Sequence, residues 1–425
     1  MKRTVLIMFL MAAALGVVFA APAGQKTINF LGTWGGQEAD VFMAMVKPFE
    51  EKTGIKVELE STRDLDAVIT TRVEAGNPPD IAALPGPGKL VELAQGGKLI
   101  ELSKILDMKE FDKNYSSGWK TLGTVNGKLY GVFMKAAIKG LVWYDPVTFK
   151  DKGLKVPTND WTWTQMMDLS KQAISKGLAP WAIGVESGSA SGWVGTDWLE
   201  NIFLRVNGPD KYRDWYEGKL SWTSPEVKKA WETWGQIIAD PKMIYGGSGY
   251  VNSTNFGNAA APLFAQPPQA LLHQQASFIQ GFITTQFPTL KPVQDFNFVA
   301  FPSIDAKYSK AVESAADVVG VFRDTPEIRQ FVNYLASAEA QAFWAPTGAL
   351  ATNRNVPLSS YSDDLTKRAA DILNKSEIVV FDASDMMKPE MNAAFWSAIV
   401  SYVDNPKQLD SILAGLEKVR REAYK

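Results

Sequence analysis

The sequence predicts an α/β protein built on mainly parallel sheet flanked by helices. Short apolar or alternating runs of strand length recur between stretches of helical periodicity. Residues 27–60 read as a strand–helix–strand unit, and glycine or proline pairs separate the later elements. Residues 27–31 alternate Ile28 and Phe30, and a turn at 32–36 leads into a helix with Phe42, Met45, Val46 and Phe49 at i, i+3, i+4, i+7. Pro48 is placed to kink that helix, Gly54 to end it, and Ile55, Val57 and Leu59 alternate as the next, parallel strand. Leu65, Val68, Ile69 and Val73 mark a second helix, stopped at residues 76–79 before an apolar strand at 80–84. Ser224-Pro225 and Thr325-Pro326 open two more helices. No internal repeat or low-complexity segment interrupts the pattern.

With 425 residues, 46% of them apolar, the chain has material for two or three domains at roughly 150 residues each. Lys and Arg number 44 against 46 Asp and Glu, a formal charge of −2 with no basic block. Nucleic acid and anionic membrane surfaces are therefore not expected partners, and direct membrane insertion is not expected because no stretch beyond the N-terminal segment is apolar for long enough to span a bilayer. The absence of cysteine removes disulfides, thiolate nucleophiles and thiolate metal sites. His273 is the only histidine, which excludes a multi-histidine metal site; no metal and no cofactor are expected.

The N-terminus reads as a targeting segment. Met1-Lys2-Arg3 is a basic start, residues 5–20 are apolar or small, and small residues follow them, so residues 1–23 are expected to be a signal peptide. A transmembrane anchor is the competing reading, but this run is shorter than the ~20 residues that span a bilayer. The expected mature protein is a free, monomeric, periplasmic one.

In open α/β sheets ligands bind at loops beyond the carboxyl ends of strands. Here those loops are residues 32–37, 61–64 and 85–88, which nominates Trp34, Gly35, Gln37, Asp64 and Pro85. Asp64 serves equally well as the cap of the helix that follows. Ten of the 14 tryptophans lie between positions 143 and 234. Flat indoles stack on the apolar faces of sugar rings, while amides and carboxylates bond the hydroxyls. Trp231 and Trp234 fall on a helical stripe and suit a core. Trp181 and Trp193 stand beside Gly- and Ser-rich stretches with no periodicity, as Trp34 does, and are the better ligand candidates.

The strand, the Trp34-Gly35-Gly36 loop, the Phe49-Glu50-Glu51-Lys52-Thr53-Gly54-Ile55 segment and Gly76-Asn77-Pro78-Pro79-Asp80 together resemble the start of the extracellular solute-binding proteins of the maltose-binding type. The likeness continues through Asn126-Gly127-Lys128-Leu129-Tyr130-Gly131, Lys139-Gly140-Leu141-Val142-Trp143-Tyr144, Asp317-Val318-Val319-Gly320 and Thr347-Gly348. Residues 263–278, with Gln266-Pro267-Pro268 and His273, resemble the branch that serves α-glucoside importers. The resemblance implies a periplasmic-binding-protein-like fold of two lobes joined by hinge crossings. It implies an oligosaccharide closed between the lobes, an α-glucoside such as maltose, trehalose or sucrose, and delivery to a membrane-embedded ABC permease. Lobe one is then expected at 24–137 and 302–345, lobe two at 138–301 and 346–425. Carried over to this chain, the family pattern adds Gln266, Asp317 and Gly348 as ligand contacts. Where relatives carry a ligand-binding carboxylate in the first crossing, this chain has Ala137, flanked by Lys135 and Lys139, which are either ligand contacts or surface charges.

Two classes stay open on the residues alone: a non-enzymatic binding protein, and a secreted glycoside hydrolase. The hydrolase needs two carboxylates ~5–10 Å apart across one bond, and Glu186 with Asp197 is the best pair on offer.

Overall fold

The computed structural model describes residues 26–361, 363–375 and 378–425; the expected signal peptide, residues 1–23, lies outside them. Phe42, Met45, Val46 and Phe49 form the buried face of helix Gln37–Thr53, as their spacing predicts. Gly54 ends the helix in the left-handed conformation with its N–H bonded to the Glu50 carbonyl, and Pro48 is carried inside without ending it. Strands Thr27–Gly32 and Lys56–Ser61 flank this helix and pair in parallel. Strand Ile81–Leu84 adds in parallel to the other edge of Thr27–Gly32. Ser224 and Thr325 cap helices Pro225–Ile238 and Pro326–Leu335 by accepting from the backbone N–H of Val227 and Ile328.

Two larger sheets organise the described residues. The first runs Ile378–Phe381, Ala311–Val321, Ile81–Leu84, Thr27–Gly32, Lys56–Ser61, with Gly131–Ile138 paired to Ala311–Val321 as well. The second runs Asn297–Ala300, Leu141–Tyr144, Ala270–Gln275, Ala179–Trp181. Parallel pairing within βαβ units gives way to antiparallel pairing where the chain crosses between sheets, Gly131–Ile138 leaving for the second sheet and Ala311–Val321 returning from it. Antiparallel neighbours need no long crossover, so the chain passes between sheets on short links. The first link is residues 139–140, the second 301–310, the third 382–388. Gly140 sits at φ 71°, and a Cβ there would lie 2.3 Å from Asn201 Oδ1, so both its backbone and its bareness are required.

The third link divides the chain differently from the expectation. Residues 346–425 were assigned to lobe two, yet Ile378–Phe381 pairs in parallel with Ala311–Val321 of the first sheet. Helices Pro389–Asp404 and Leu409–Ala423 do join the other half, burying Phe395, Ile399 and Leu413 beside Trp198, Trp215, Trp231 and Trp234. A four-residue strand too short to show periodicity directs this split. Among the described residues no helix is long and apolar enough to cross a membrane.

The three links converge on a buried charge cluster. Lys139, 7% exposed, donates to Asp197 Oδ1 and Oδ2 at 2.8 and 3.0 Å, and pairs with Asp382 at 2.9 Å. Its backbone N–H bonds to the Glu313 carbonyl at 2.9 Å. Asn201 donates to Glu313 Oε2 at 2.6 Å, while Arg205 reaches the Asn201 amide and the Ala311 carbonyl. Glu200 accepts from Tyr212 and from the backbone N–H groups of Ala383 and Ser384. Asp385 also faces the cluster. Burial opposes the charge on Lys139, but Asp197 and Asp382 outweigh it and hold the ammonium well above its ordinary value. Burial pushes Asp197 up to about 7, and raises Glu200, Glu313 and Asp385 as well, whereas Lys139 overcomes burial at Asp382 and holds it low.

A carboxyl whose pKa is raised in the folded state binds its proton more tightly there than in the unfolded chain. Its contribution is therefore complete at acid pH and is lost as pH rises through the folded value. Thermal melts should accordingly give a Tm a few degrees higher at pH 5 than at pH 8, and Asp197→Asn should flatten that slope. A Tm that rises from pH 5 to pH 8 in the wild type would contradict this account of the cluster.

Candidate functional site

A cavity of about 310 Å³ opens between the two halves. The first sheet contributes the loops after its parallel strands, at Thr33–Trp34, 63–67 and 85–86, with Lys135, Ala136, Ala137 and 315–317 from the two crossing strands. The second half contributes Ser189, Ala190, Trp193, Phe256 and Phe278, and helix Pro389–Asp404 adds Asn392 and Trp396. Lys139, Asp382, Ser384 and Asp385 form the floor where the links converge.

On the first wall Lys135, 8% exposed, pairs with Glu38 and with Asp317 at 3.1 Å, and Asp317 accepts from Trp34 Nε1 at 2.7 Å. Burial works against the Lys135 charge, but Asp317 and Glu38 hold it up at about 12. The ammonium lies 4.8 Å from the Trp344 ring centroid and 5.5 Å from that of Trp34. Neither lysine is a surface charge. Each is already satisfied by protein carboxylates.

The opposite wall is aromatic. Trp193, the first residue of helix Trp193–Tyr216, is half-buried and packs edge-on against Phe256 at 5.1 Å and beside Phe278 at 6.1 Å. Lys139 lies 4.8 Å from its ring centroid. At the rim, Arg63 of the first half stands 4.9 Å over the Phe256 ring, and Ser189 Oγ donates to the Arg63 carbonyl at 2.9 Å. Asp64 is exposed there and makes no capping bond from its side chain. Ring faces, carboxylate acceptors and a guanidinium donor thus converge on one enclosed volume, the chemistry that hydroxylated rings require.

Of the residues nominated from sequence, the fold brings Trp34, Asp64, Pro85, Lys135, Lys139, Trp193 and Asp317 to this cavity. It does so for Trp34 in an unexpected way: the ring is 1% exposed and packed among Phe30, Phe42 and Trp344, so it backs the wall. Gly35, Gln37, Trp181, Gln266 and Gly348 are not in the lining. Trp181 belongs to strand Ala179–Trp181 and is buried edge-on against Trp198 at 4.8 Å. Gln266 is exposed at the amino end of strand Ala270–Gln275, whereas Phe278, beyond the carboxyl end, reaches the cavity. Gln37 packs against Gly281 of helix Ile279–Gln286, and Gly348 lies against the Ser277 carbonyl. Gly35 faces Ser61 instead.

Glu186 and Asp197 do not form a pair across a bond. Glu186 accepts from Gly188 N–H and Asn255 Nδ2 outside the lining, and Asp197 is committed to Lys139. His273 is fully buried, with Nδ1 2.9 Å from the Ala182 carbonyl, and burial pushes it down to about 4. Oxygens of Asp197, Glu313 and Asp382 lie within 4.8 Å of one another, a spacing that suits a cation. Lys139 supplies that positive charge by bonding two of the three. Sequence reasoning missed Glu38, Arg63, Asp66, Lys89, Phe256, Phe278, Asp382, Asp385 and Trp396. Asp382 follows the carboxyl end of a strand, Ile378–Phe381, and was accessible to the strand-end rule once that strand was seen.

Residues 35–342 match the bacterial extracellular solute-binding protein family. The osmoprotective compounds-binding protein GgtB of Synechocystis sp. is 38% identical over 381 residues, which is 89% of each chain. The alpha-glucosides-binding periplasmic protein AglE of Rhizobium meliloti is 33% identical over 405 residues, 92% of this chain and 86% of that one. Among solved structures, a chitin oligosaccharide binding protein superposes with a TM-score of 0.82 at 18% identity, over 94% of this chain and 100% of the other. The family match spans most of the chain, two relatives exceed 30% identity over most of their own length, and the fold places a cavity between two sheets. The chain therefore belongs to the bacterial extracellular solute-binding protein family.

Proposed function

We propose that this chain is the periplasmic capture component of an ABC importer, and that it takes a neutral glycoside, an α-glucoside such as maltose, trehalose or sucrose, into the cavity between its halves. The observation that carries the reading is the pairing of an aromatic wall, half-exposed Trp193 and Phe278 backed by buried Phe256, with carboxylates on the facing wall. The printed names of the two relatives, one for osmoprotective compounds and one for alpha-glucosides, support the choice of ligand class. In this reading the two halves are lobes that hinge on links 139–140, 301–310 and 382–388. A ligand that touches both walls favours the closed arrangement by its greater affinity for it. The closed protein then delivers the sugar to a membrane permease.

Thermal shift and calorimetric titration of the purified chain with maltose, trehalose and sucrose test this. At least one should raise the Tm by mass action on the folded state, and the recovered sugar should be intact by mass spectrometry. No shift with any neutral glycoside, or release of glucose, would defeat the proposal.

Two tryptophans separate ligand contact from core. Trp193→Ala should weaken sugar binding by roughly 1–3 kcal/mol, the scale of ring-on-aromatic stacking, with the unliganded Tm little changed. Trp34→Ala should do the reverse, destabilising the fold by about 3–5 kcal/mol as expected for truncating a buried tryptophan. Calorimetry and melts of both variants check the assignment; equal effects in the two would refute it.

A further inference from the structure

The cavity does not end at its own walls. Asp66, Ala67, Lys89, Met387 and Pro389 line it on one side and also line a second groove of about 730 Å³ on the other. That groove runs between helices Leu65–Glu74 and Pro87–Gln95, and is closed on its third side by residues 386–390. Its lining sets polar side chains, Thr70 and Thr71 on one helix and Glu92 and Gln95 on the other, among apolar ones such as Val91 and Met387.

The neck between the two spaces carries one acceptor and one donor. The half-buried Asp66 carboxylate receives no hydrogen bond from any described residue, and burial raises it from the ordinary carboxylate range even though Lys89 acts to lower it. Lys89, 8% exposed, donates to Thr70 Oγ1 at 3.0 Å and Glu92 Oε1 at 2.8 Å, which uses two of its three N–H groups. A half-buried acceptor without a donor, beside a cation with a donor to spare, suits a hydroxylated chain passing between them. The groove beyond contributes no aromatic ring to its lining, so it fits a further unit held through its hydroxyls.

Resting on the reading above, we infer that the groove between helices Leu65–Glu74 and Pro87–Gln95 is a second subsite, entered past Asp66 and Lys89, for an additional hydroxylated unit of a ligand longer than a disaccharide.

Thr71 and Gln95 are exposed and line only the groove, one from each wall. Replacing either by tryptophan fills the subsite from opposite sides without touching the central cavity. Titration of wild type, Thr71→Trp and Gln95→Trp with the pairs maltose and maltotriose, and sucrose and raffinose, tests the assignment. Wild type should bind the trisaccharide of at least one pair no more weakly than its disaccharide. Both variants should weaken that trisaccharide about tenfold or more, or roughly 1.4 kcal/mol, and leave the disaccharide within about twofold. The subsite is overturned if wild type binds a disaccharide and rejects its trisaccharide, if neither variant alters trisaccharide binding, or if both sugars suffer equally. If wild type binds none of the four sugars, the glycoside reading itself falls and the subsite with it.

Discussion

An ammonium group removed from water must be paired, and Lys139 meets that demand with carboxylates from two distant parts of the chain. Asp197 comes from a helix of the second half and Asp382 from the third link, while Lys139 itself occupies the first link. Its backbone N–H reaches the Glu313 carbonyl at the start of the long strand that follows the second link. All three passages between the sheets are thereby fastened at one point. Removing one partner from a buried pair of this kind commonly costs ~3–5 kcal/mol, more than most packing contacts around it. The cavity floor is therefore set by the cluster, and the walls are built out from it.

The same pairing decides what chemistry remains for a ligand. Lys135 and Lys139 line the cavity, yet Glu38, Asp317, Asp197 and Asp382 already answer their charge. What stands open is different in kind: ring surface on Trp193 and Phe278, the carboxylates of Asp64 and Asp66, and the Arg63 guanidinium at the rim. Ligand hydroxyls find acceptors here, whereas a ligand carboxylate or phosphate finds Lys135 of the wall and Lys139 of the floor occupied and surplus acid around them. A lysine in a cavity is thus a poor guide to ligand charge until its partners are known.

The fold was legible from sequence wherever a local rule acted on it. Helix Gln37–Thr53 has four apolar residues at helical spacing and a terminal glycine, and the strands beside it alternate, so its position and its neighbours' parallel pairing followed directly. Strand Ile378–Phe381 has neither alternation nor length to reveal it, and its pairing with a partner some 67 residues away is what moved the lobe boundary. The site was legible in part for a similar reason. The fold places the strand-end nominees Trp34, Asp64 and Pro85 in the cavity lining, but no local signal tells a tryptophan whose ring is enclosed by Phe30, Phe42 and Trp344 from one whose ring is half open. Trp181 and Trp193 illustrate the limit, since both stand near small residues and only the second begins a helix at the cavity. Gln266 and Gly348, carried over from the family pattern, lie away from the lining because the strand and loop that hold them present other ends to the cavity.

The division of tryptophans between core and cavity bears on how such a molecule can close. Trp198, Trp215, Trp222, Trp231 and Trp234 fill the second half's own core, and Phe30, Trp34, Phe42 and Trp344 fill one face of the first sheet, while a third cluster joins Leu31 and Phe133 of the first half to Trp143 and Phe298 of the second. Away from the links the halves also touch: Ser189 Oγ bonds the Arg63 carbonyl and the Arg63 guanidinium lies over Phe256, while on other sides Gln280 Nε2 donates to Asp363 at 2.7 Å, Arg368 donates to the Phe298 carbonyl at 3.2 Å and Gln37 packs against Gly281. Contacts of this size contribute on the order of 1 kcal/mol each. In the proposed reading, a bound molecule touching both walls decides between open and closed by adding its own contacts to these, about the floor that the paired charges at the links hold in place.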